Sequence, residues 1–435
     1  MWFLPLLGLW FLCSQWHATY ILWCKALKKM LEMTGPAFVK FGQWCAVRSD
    51  IFPREFCEIL SELHSNVSTH SLAHTRQLIK DQFGKDVEEL FTEFNPVPIG
   101  SGSIAQVYFG TLKETNEEVA IKVMHPKVKE KIAVDFFCLQ MFAKIVDHTA
   151  PWMDYPGIAA QFAQNLSLQV DLRVEAENLR YFNKNFETSK YIIFPKPIME
   201  SEQVLVETKI NGQPLNEWYG GDGDVSPAHR RLAQAGADLF LQMVLTDNFF
   251  HADIHPGNCL VGKLPGDDHV FLAMLDVGVC QTLSKHQRDI SHEFLRTIVM
   301  GDWGGVAQSI LNMSHTQDFC DVPGFRKRIT QICDELMPPR PTETWSEFVI
   351  HYARLYGFAA RYGKKVGFTT TFVESIFDAI QEYRVRIDPA YAHLLFSCIA
   401  MEFISNQCDP SMDMIKHSAP WFVSSMMNRP KRAAW

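Results

Sequence analysis

An α+β fold is predicted for this chain, with a small β-rich lobe between an N-terminal helical extension and a mostly helical C-terminal lobe. Three observations carry the prediction. β-branched and aromatic runs concentrate in residues 96–123 and 192–209, helical periodicity fills the sequence on either side, and a glycine loop, a strand lysine and an Asp-rich segment follow in fixed order. The 435 residues suffice for one two-lobed unit or two ordinary domains, and 47% hydrophobic residues supply a large core. A formal charge of -8 gives no basic bias, so no nucleic-acid partner is expected.

Residues 1–24 are predicted to form a transmembrane or interfacial helix. No Asp, Glu, Lys or Arg occurs from Trp2 to Cys24, and Lys25, Lys28 and Lys29 follow at once, which sets the positive side C-terminal. Ser14, Gln15 and His17 interrupt the run, and a helix lying in the interface or buried against protein tolerates them more cheaply than a span does. The start shows neither the basic n-region of a cleaved secretory signal nor an Arg- and Ser-rich leader.

Residues 25–94 are predicted to be a helical extension, with Phe56, Ile59, Leu60 and Leu63 at helical spacing and a break at Asp50 and Pro53. The small lobe spans 95–210. In it, Gln106–Gly110 and Val119–Val123 flank the polar turn Lys113–Glu118, helix is expected over 127–187, and Ile192–Pro197 and Gln203–Lys209 are expected to complete the same sheet. The large lobe spans 211–435. Asn211–Pro214 is expected as a turn, Gly220–Gly223 as a surface loop, and Ser226–Thr246 as a long helix opened by Ser-Pro. Amphipathic helices follow Gly278, interrupted at Pro338-Pro339-Arg340-Pro341 and Asp388-Pro389, and the basic Arg429–Arg432 reads as a frayed tail. The 11 cysteines form no Cys-x-x-Cys pair and are expected as reduced, mostly buried thiols.

Gly100-Ser101-Gly102-Ser103-Ile104-Ala105-Gln106-Val107 places small residues between two strands, where backbone amides can approach phosphates. Alone it is a weak signal, since any β-hairpin can turn on glycine. Val119-Ala120-Ile121-Lys122 arrives one hairpin later and supplies a strand ammonium for the α- and β-phosphates. The most specific segment is Phe249-Phe250-His251-Ala252-Asp253-Ile254-His255-Pro256-Gly257-Asn258, followed by Asp276-Val277-Gly278. Asp253 suits the orientation of an attacking hydroxyl or water. Asn258 and Asp276 offer the hard oxygens that Mg²⁺ requires beside a triphosphate. A zinc site on His251, Asp253 and His255 competes with this, but Pro256-Gly257 stops the helix that would align two histidines four apart. The histidines are better placed as braces hydrogen-bonded to the loop backbone. In this order the motifs specify a two-lobed protein-kinase-like fold that binds Mg-ATP.

The chain resembles the UbiB family of aarF-domain-containing atypical kinases, linked to coenzyme Q, over residues 30–300, and its details look closest to the animal members. Lys40-Phe41-Gly42-Gln43 fits that family's Lys-x-Gly-Gln element, which the resemblance implies folds over the nucleotide site and restricts peptide access. The family's Glu-x-Asp element is here Gln169-Val170-Asp171, so the charge implied to pair with Lys40 rests on Asp171 alone, and Lys40, Gln43 and Asp171 are the implied regulatory residues. Glu175 is implied as the partner of Lys122. ATP contacts are implied for Gly100, Ser101, Gly102, Ser103, Ile104, Val107, Ala120, Lys122, Glu175 and Glu207. The family's loop is alanine-rich; glycine here allows closer backbone approach, so nucleotide preference does not carry over. The resemblance implies ATPase or phosphotransfer activity at a mitochondrial membrane, with membrane lipid or lipid-biosynthetic proteins as partners. A nucleotide-switched pseudokinase scaffold in a protein complex is the alternative. No Ala-Pro-Glu element follows Asp276, so the peptide-docking platform of ordinary kinases is not expected.

Overall fold

The computed structural model describes residues 17–34, 36–46, 48, 51–63, 69–147, 154–218, 225–263, 269–314, 316–336, 368–412, 417–418 and 420–421. Chain contacts divide it into two compact units, Met1–Ala176 with Pro197–Lys209, and Glu177–Lys196 with Ile210–Trp435. The architecture is α+β, as predicted.

The first unit begins with α1 (His17–Thr34), α2 (Pro36–Ala46) and α3 (Arg54–Ser61). Phe56 and Leu60 of α3, with Leu63 just beyond its end, bury themselves with Trp23, Cys24, Leu31, Val39 and Cys45. Two expectations are refined here. The uncharged run does not end an element at Cys24, because α1 continues past Lys25 to Thr34; and Trp23 and Cys24, at the end of the run predicted as a transmembrane or interfacial helix, are 8% and 0% exposed and pack in a core with α2 and α3. Among the described residues no helix is long and apolar enough to cross a membrane. Trp2–Trp16, with Ser14 and Gln15, lie outside the described residues.

Next come α4 (Leu72–Phe83) and α5 (Val87–Leu90), then β1 (Phe91–Phe94), β2 (Gly100–Ser101), β3 (Ala105–Leu112) and β4 (Glu118–Met124). The helical extension thus stops short of residue 94, because the aromatic Phe91 and Phe94 pair with β3 instead. Three helices follow, α6 (Val128–Val146), α7 (Tyr155–Gln169) and α8 (Leu172–Asn185), then β5 (Ile192–Ile193), β6 (Pro197–Glu200) and β7 (Val204–Thr208). The antiparallel sheet runs β1-β3-β4-β7-β6, with β2 paired to β3. Its pleat sorts the side chains. Val119, Ile121 and Val123 point with Tyr108, Val204 and Val206 into a core shared with Ile79 of α4, each aliphatic side chain contributing about 1.5–3 kcal/mol by burial. Val107, Ala120, Lys122 and Glu207 occupy the other face, since Val107 pairs with Lys122 and Ala120 with Glu207.

In the second unit β8 (Gln213–Pro214), β10 (Cys259–Lys263) and β11 (Val270–Met274) form the sheet β5-β11-β10-β8, while β9 (Phe250–His251) pairs with β12 (Cys280–Gln281). This corrects the assignment of Ile192–Pro197 to one strand of the small sheet. Ile192–Ile193 pairs with β11, and only Pro197–Glu200 joins β7. Burial decides the split, because Ile192 and Phe194 are 3% and 2% exposed and Phe194 stacks on Phe182 with centroids 4.8 Å apart, holding the segment in the second unit. Glu177–Lys196 accordingly leaves the predicted small lobe. Asn211–Pro214, expected as a turn, supplies the short strand β8.

Helix α9 (Pro227–Leu241) starts as predicted, with the Ser226 side chain accepting from the His229 amide and proline in the first turn. It passes into a π-helical turn, Gln242–Asp247, directly ahead of β9. Helices α10 (Lys285–Met300), α11 (Trp303–Asn312), α12 (Val322–Leu336), α13 (Phe368–Glu382) and α14 (Pro389–Cys408) complete the unit. Trp303, Val306, Phe325, Ile329 and Phe377 lie in their common core. Gly220–Gly223, the prolines at 338, 339 and 341, and Arg429–Arg432 lie outside the described residues.

Candidate functional site

In the first unit the side chains of interest gather on the half-buried face of the sheet. The Lys122 ammonium lies 2.5 Å from Glu175 Oε1 and 3.4 Å from Glu207 Oε1. Both carboxylates are buried, at 6% and 2% exposure. Glu175, whose distance in sequence gave no hint of the pairing, reaches Lys122 from the first turn of α8. The second carboxylate, Glu207, follows from strand register alone. Such an ion pair gains little net stability, because desolvating three charged groups offsets most of their attraction.

The glycine turn connects β2 to β3, with Gly100 opposite Val107, Ser101 opposite Gln106, and the Gly102 amide donating to the Ala105 carbonyl at 2.9 Å. No neighbour of the chain requires glycine at position 100, since a Cβ there would meet nothing within 4 Å. The Ser101 and Ser103 hydroxyls are buried without a hydrogen-bond partner, and Ile104 is half-buried beside them. Unsatisfied buried hydroxyls are uncommon, and two so close together single out this turn.

A histidine chain that the sequence did not reveal steadies this turn. His125 Nε2 meets the Gly102 carbonyl at 3.0 Å, His125 Nδ1 meets His70 Nδ1 at 2.8 Å, and His70 Nε2 reaches Thr75 Oγ1 at 2.9 Å. The carbonyl can only accept, so His125 carries its proton on Nε2 and takes a hydrogen bond from His70 Nδ1–H. Burial and the neighbouring His125 and His74 push the His70 pKa down to about 4. Fifty-five residues separate the two rings, and no local pattern pairs them.

The Lys-x-Gly-Gln residues divide into two roles. Gly42 and Gln43 both address Leu63. A Cβ on Gly42 would stand 2.3 Å from Leu63 Cδ1, and Gln43 Nε2 donates to the Leu63 carbonyl at 3.0 Å. Lys40 instead lines an open cleft beside the glycine turn. Asp171 is engaged by Arg173, whose guanidinium sits 2.6 Å from Oδ2 and holds the carboxyl below its usual range, while Lys40 has no ion-pair partner among the described residues.

In the second unit Asp253, Asn258 and Asp276 are drawn to one end of the β10–β11 hairpin. Cys259 pairs with Met274, so Asn258 immediately precedes one strand and Asp276 closely follows the other, and the Leu275 amide donates to the Asn258 carbonyl at 2.9 Å. His251 ties the two aspartate segments together. The Asp253 amide donates to His251 Nδ1 at 2.9 Å, which leaves the proton on Nε2, and Nε2 donates to the Asp276 carbonyl at 2.6 Å. The ring is fully buried and burial lowers its pKa, so it braces the loop as the neutral imidazole. Ser397 Oγ donates to the His251 carbonyl at 2.9 Å, and Asn178 Nδ2 to the Val277 carbonyl at 2.8 Å. Neither of these last two supports was visible in the sequence.

Asp253 and Asp276 are exposed and Asn258 is half-buried, so their side chains can meet a ligand. With both ring nitrogens engaged by backbone, His251 has none left for zinc. Among the described residues no three His, Cys, Asp or Glu side chains converge into a metal cage. A carboxylate at Asp276 and an amide oxygen at Asn258, carried at the same end of one hairpin, are ligand types that fit Mg²⁺, which is held largely by water and substrate phosphates.

Residues 62–310 match the ABC1 atypical kinase-like domain. A mitochondrial ABC1 family protein of Schizosaccharomyces pombe is 31% identical, with the alignment covering 97% of this chain and 68% of the relative. A probable protein kinase UbiB of Vibrio parahaemolyticus is 26% identical, covering 93% of this chain and 70% of the relative. Among solved structures, the Rv3197–erythromycin complex from Mycobacterium tuberculosis aligns with 85% of this chain and 91% of its own, at 16% identity and a TM-score of 0.48.

Proposed function

Because the chain belongs to the ABC1 atypical kinase-like family, we propose that it binds Mg-ATP and acts as an ATPase or phosphotransferase at a mitochondrial membrane, in support of coenzyme Q and lipid metabolism. Relatives named mitochondrial ABC1 family protein and probable protein kinase UbiB support the location and the chemistry. The observation that carries the reading is the Lys122 ammonium held 2.5 Å from Glu175 on the ligand-accessible face of the sheet, a costly arrangement if stability were its purpose.

In this reading Lys122 binds phosphate oxygens and Glu175 and Glu207 position it. Gly100 and Gly102 let the turn approach a phosphate closely, and Ser101 offers its unpartnered hydroxyl. Val107 and Ala120 leave a low-relief surface for a base. In the second unit Asp253 orients the attacking hydroxyl or water and accepts its proton, while Asn258 and Asp276 would hold Mg²⁺. The metal supplies charge neutralisation at the β- and γ-oxygens. His251 keeps Asp253 and Asp276 in register. The acceptor is water, a lipid or a lipid-biosynthetic partner rather than an extended peptide. Only Val277–Ser284 separates Asp276 from α10, with β12 occupying part of it, too little chain for a peptide-docking segment.

The test is Mg-dependent ATP turnover by the purified protein, with and without anionic membranes. Asp276→Asn is expected to lower turnover about a hundredfold or more, and Lys122→Ala to weaken nucleotide binding in thermal-shift titrations. Wild-type turnover no faster than that of Asp276→Asn would overturn the enzymatic reading. Retained nucleotide binding in that case would favour the nucleotide-switched scaffold, and nucleotide affinity unchanged in Lys122→Ala would remove the phosphate role of that lysine.

A further inference from the structure

The first unit contains an open cleft of about 760 Å³ whose walls come from the glycine turn, the β4–α6 junction, α6 itself and parts of α2 and α7. Lys122, Glu175 and Glu207 do not line it, whereas Ser103 and Ile104 of the glycine turn do, so it adjoins the proposed nucleotide site without including the buried ion pair. Lys40, Lys127 and Lys131 line it too, and among the described residues none is within 4 Å of a carboxylate, although Lys131 acts on the Asp135 carboxylate at longer range. Nearby Lys129, by contrast, is bound to Glu202. The carboxylates of Glu130 and Asp135 share the lining, leaving lysine in excess.

Helix α6 begins at this cleft. It is 19 residues long, starts at Val128, and no side chain caps its N-terminus. Its first turn lines the cleft, so the positive end of the helix dipole lies at that wall. Ser103, 6% exposed, lines the same cleft with its hydroxyl unpartnered. His70 and His125 complete the polar rim, their rings already committed to one another. Val128, Ile132 and Leu166 add an apolar wall, and the volume exceeds what a lone phosphate fills.

We propose that this cleft is a second ligand site, for a phosphate-bearing group attached to an apolar moiety, held by Lys127, Lys131, the N-terminus of α6 and the Ser103 hydroxyl. Such a group fits because several oxygens around one centre can accept from amides, ammoniums and a hydroxyl together. Its source is either a soluble phosphate ester or a lipid headgroup. The proposal goes beyond the nucleotide reading and stands whether or not Lys122 binds ATP.

The experiment titrates the full chain with inorganic phosphate by calorimetry and follows flotation with vesicles of phosphatidylcholine alone or with added phosphatidic acid. The proteins are wild type, Lys127→Ala with Lys131→Ala, Ser103→Ala and Lys122→Ala, each checked for native circular dichroism. Saturable binding is expected for wild type, weakened about tenfold or more in the double variant and severalfold in Ser103→Ala, which removes no charge. Lys122→Ala removes any phosphate held at the proposed nucleotide site and is expected to keep the binding that the double variant loses. Retention of phosphate alone identifies a soluble ester, and flotation only with phosphatidic acid identifies a headgroup. No saturable binding to either probe, or binding lost in Lys122→Ala but kept in the double variant, would overturn the site.

Discussion

His251 shows how one side chain can do the work of a scaffold. Its two nitrogens are 2.9 and 2.6 Å from backbone atoms of Asp253 and Asp276, so the loop and the aspartate turn share one fixed point. His251→Ala removes a buried ring and both of its hydrogen bonds to the backbone, an expected loss of about 1–3 kcal/mol in urea denaturation, with turnover falling alongside it. His70 makes a pH-dependent contribution. Its pKa falls to about 4 in the folded chain against about 6.5 when unfolded, so between those values the unfolded state binds the extra proton. Stability from this group is therefore complete above pH 6.5 and is lost as pH falls toward 4. The denaturation midpoint of His70→Gln is expected to drop less over that window than that of wild type; parallel curves would show that the ring titrates unperturbed.

At the level of elements, the segment around Lys-x-Gly-Gln is a packing device as well as a motif. Gly42 lies where a methyl group would meet Leu63 and Leu31 at 2.3 and 2.9 Å, both side chains being 3% exposed in the core of α1–α3. Gly42→Ala gains about 1 kcal/mol of helix propensity but must displace two buried leucines at about 1–3 kcal/mol, so a net loss of about 1 kcal/mol is expected. Thermal unfolding of the purified variant measures it, and an unchanged or raised melting temperature would contradict the packing account. The small sheet illustrates the same coupling. Alternation along β4 puts Val119, Ile121 and Val123 into the core and thereby turns Ala120 and Lys122 to the opposite face, where the proposed site lies. A one-residue slip in register would bury the lysine and expose the core, which is why the apolar pattern also specifies the site.

For the molecule as a whole, cysteine contributes as an apolar residue. Among the described cysteines none is bridged; Cys24, Cys45, Cys57, Cys259, Cys333 and Cys408 are buried, and burial pushes the Cys259 thiol up to about 12. The melting temperature is therefore expected to be the same with and without reductant, and a fall on reduction would reveal a stabilising bridge. The two units each possess a core, Trp303 and Phe377 anchoring the second and Ile79 with Ile121 the sheet of the first. The kinase-like residues are shared between them. Lys122 and Glu175 belong to the first unit, and Asp253, Asn258 and Asp276 to the second.

The amino-acid sequence by itself determined the α+β class, the helix start at Ser226-Pro227, the lysine strand and the order of the Asp-bearing loops, because each is written in local periodicity, capping chemistry or short spacing. The same local signals led Ile192–Ile193 into the wrong sheet, since a short apolar strand carries no record of its partner. Tertiary structure alone decided that Lys122 would meet a second carboxylate at Glu207, that His125 would clasp the Gly102 carbonyl, and that Lys127, Lys131 and the orphaned Ser103 hydroxyl would line one cleft. Those juxtapositions depend on strand register and on packing between distant segments, and neither leaves a periodic trace along the chain.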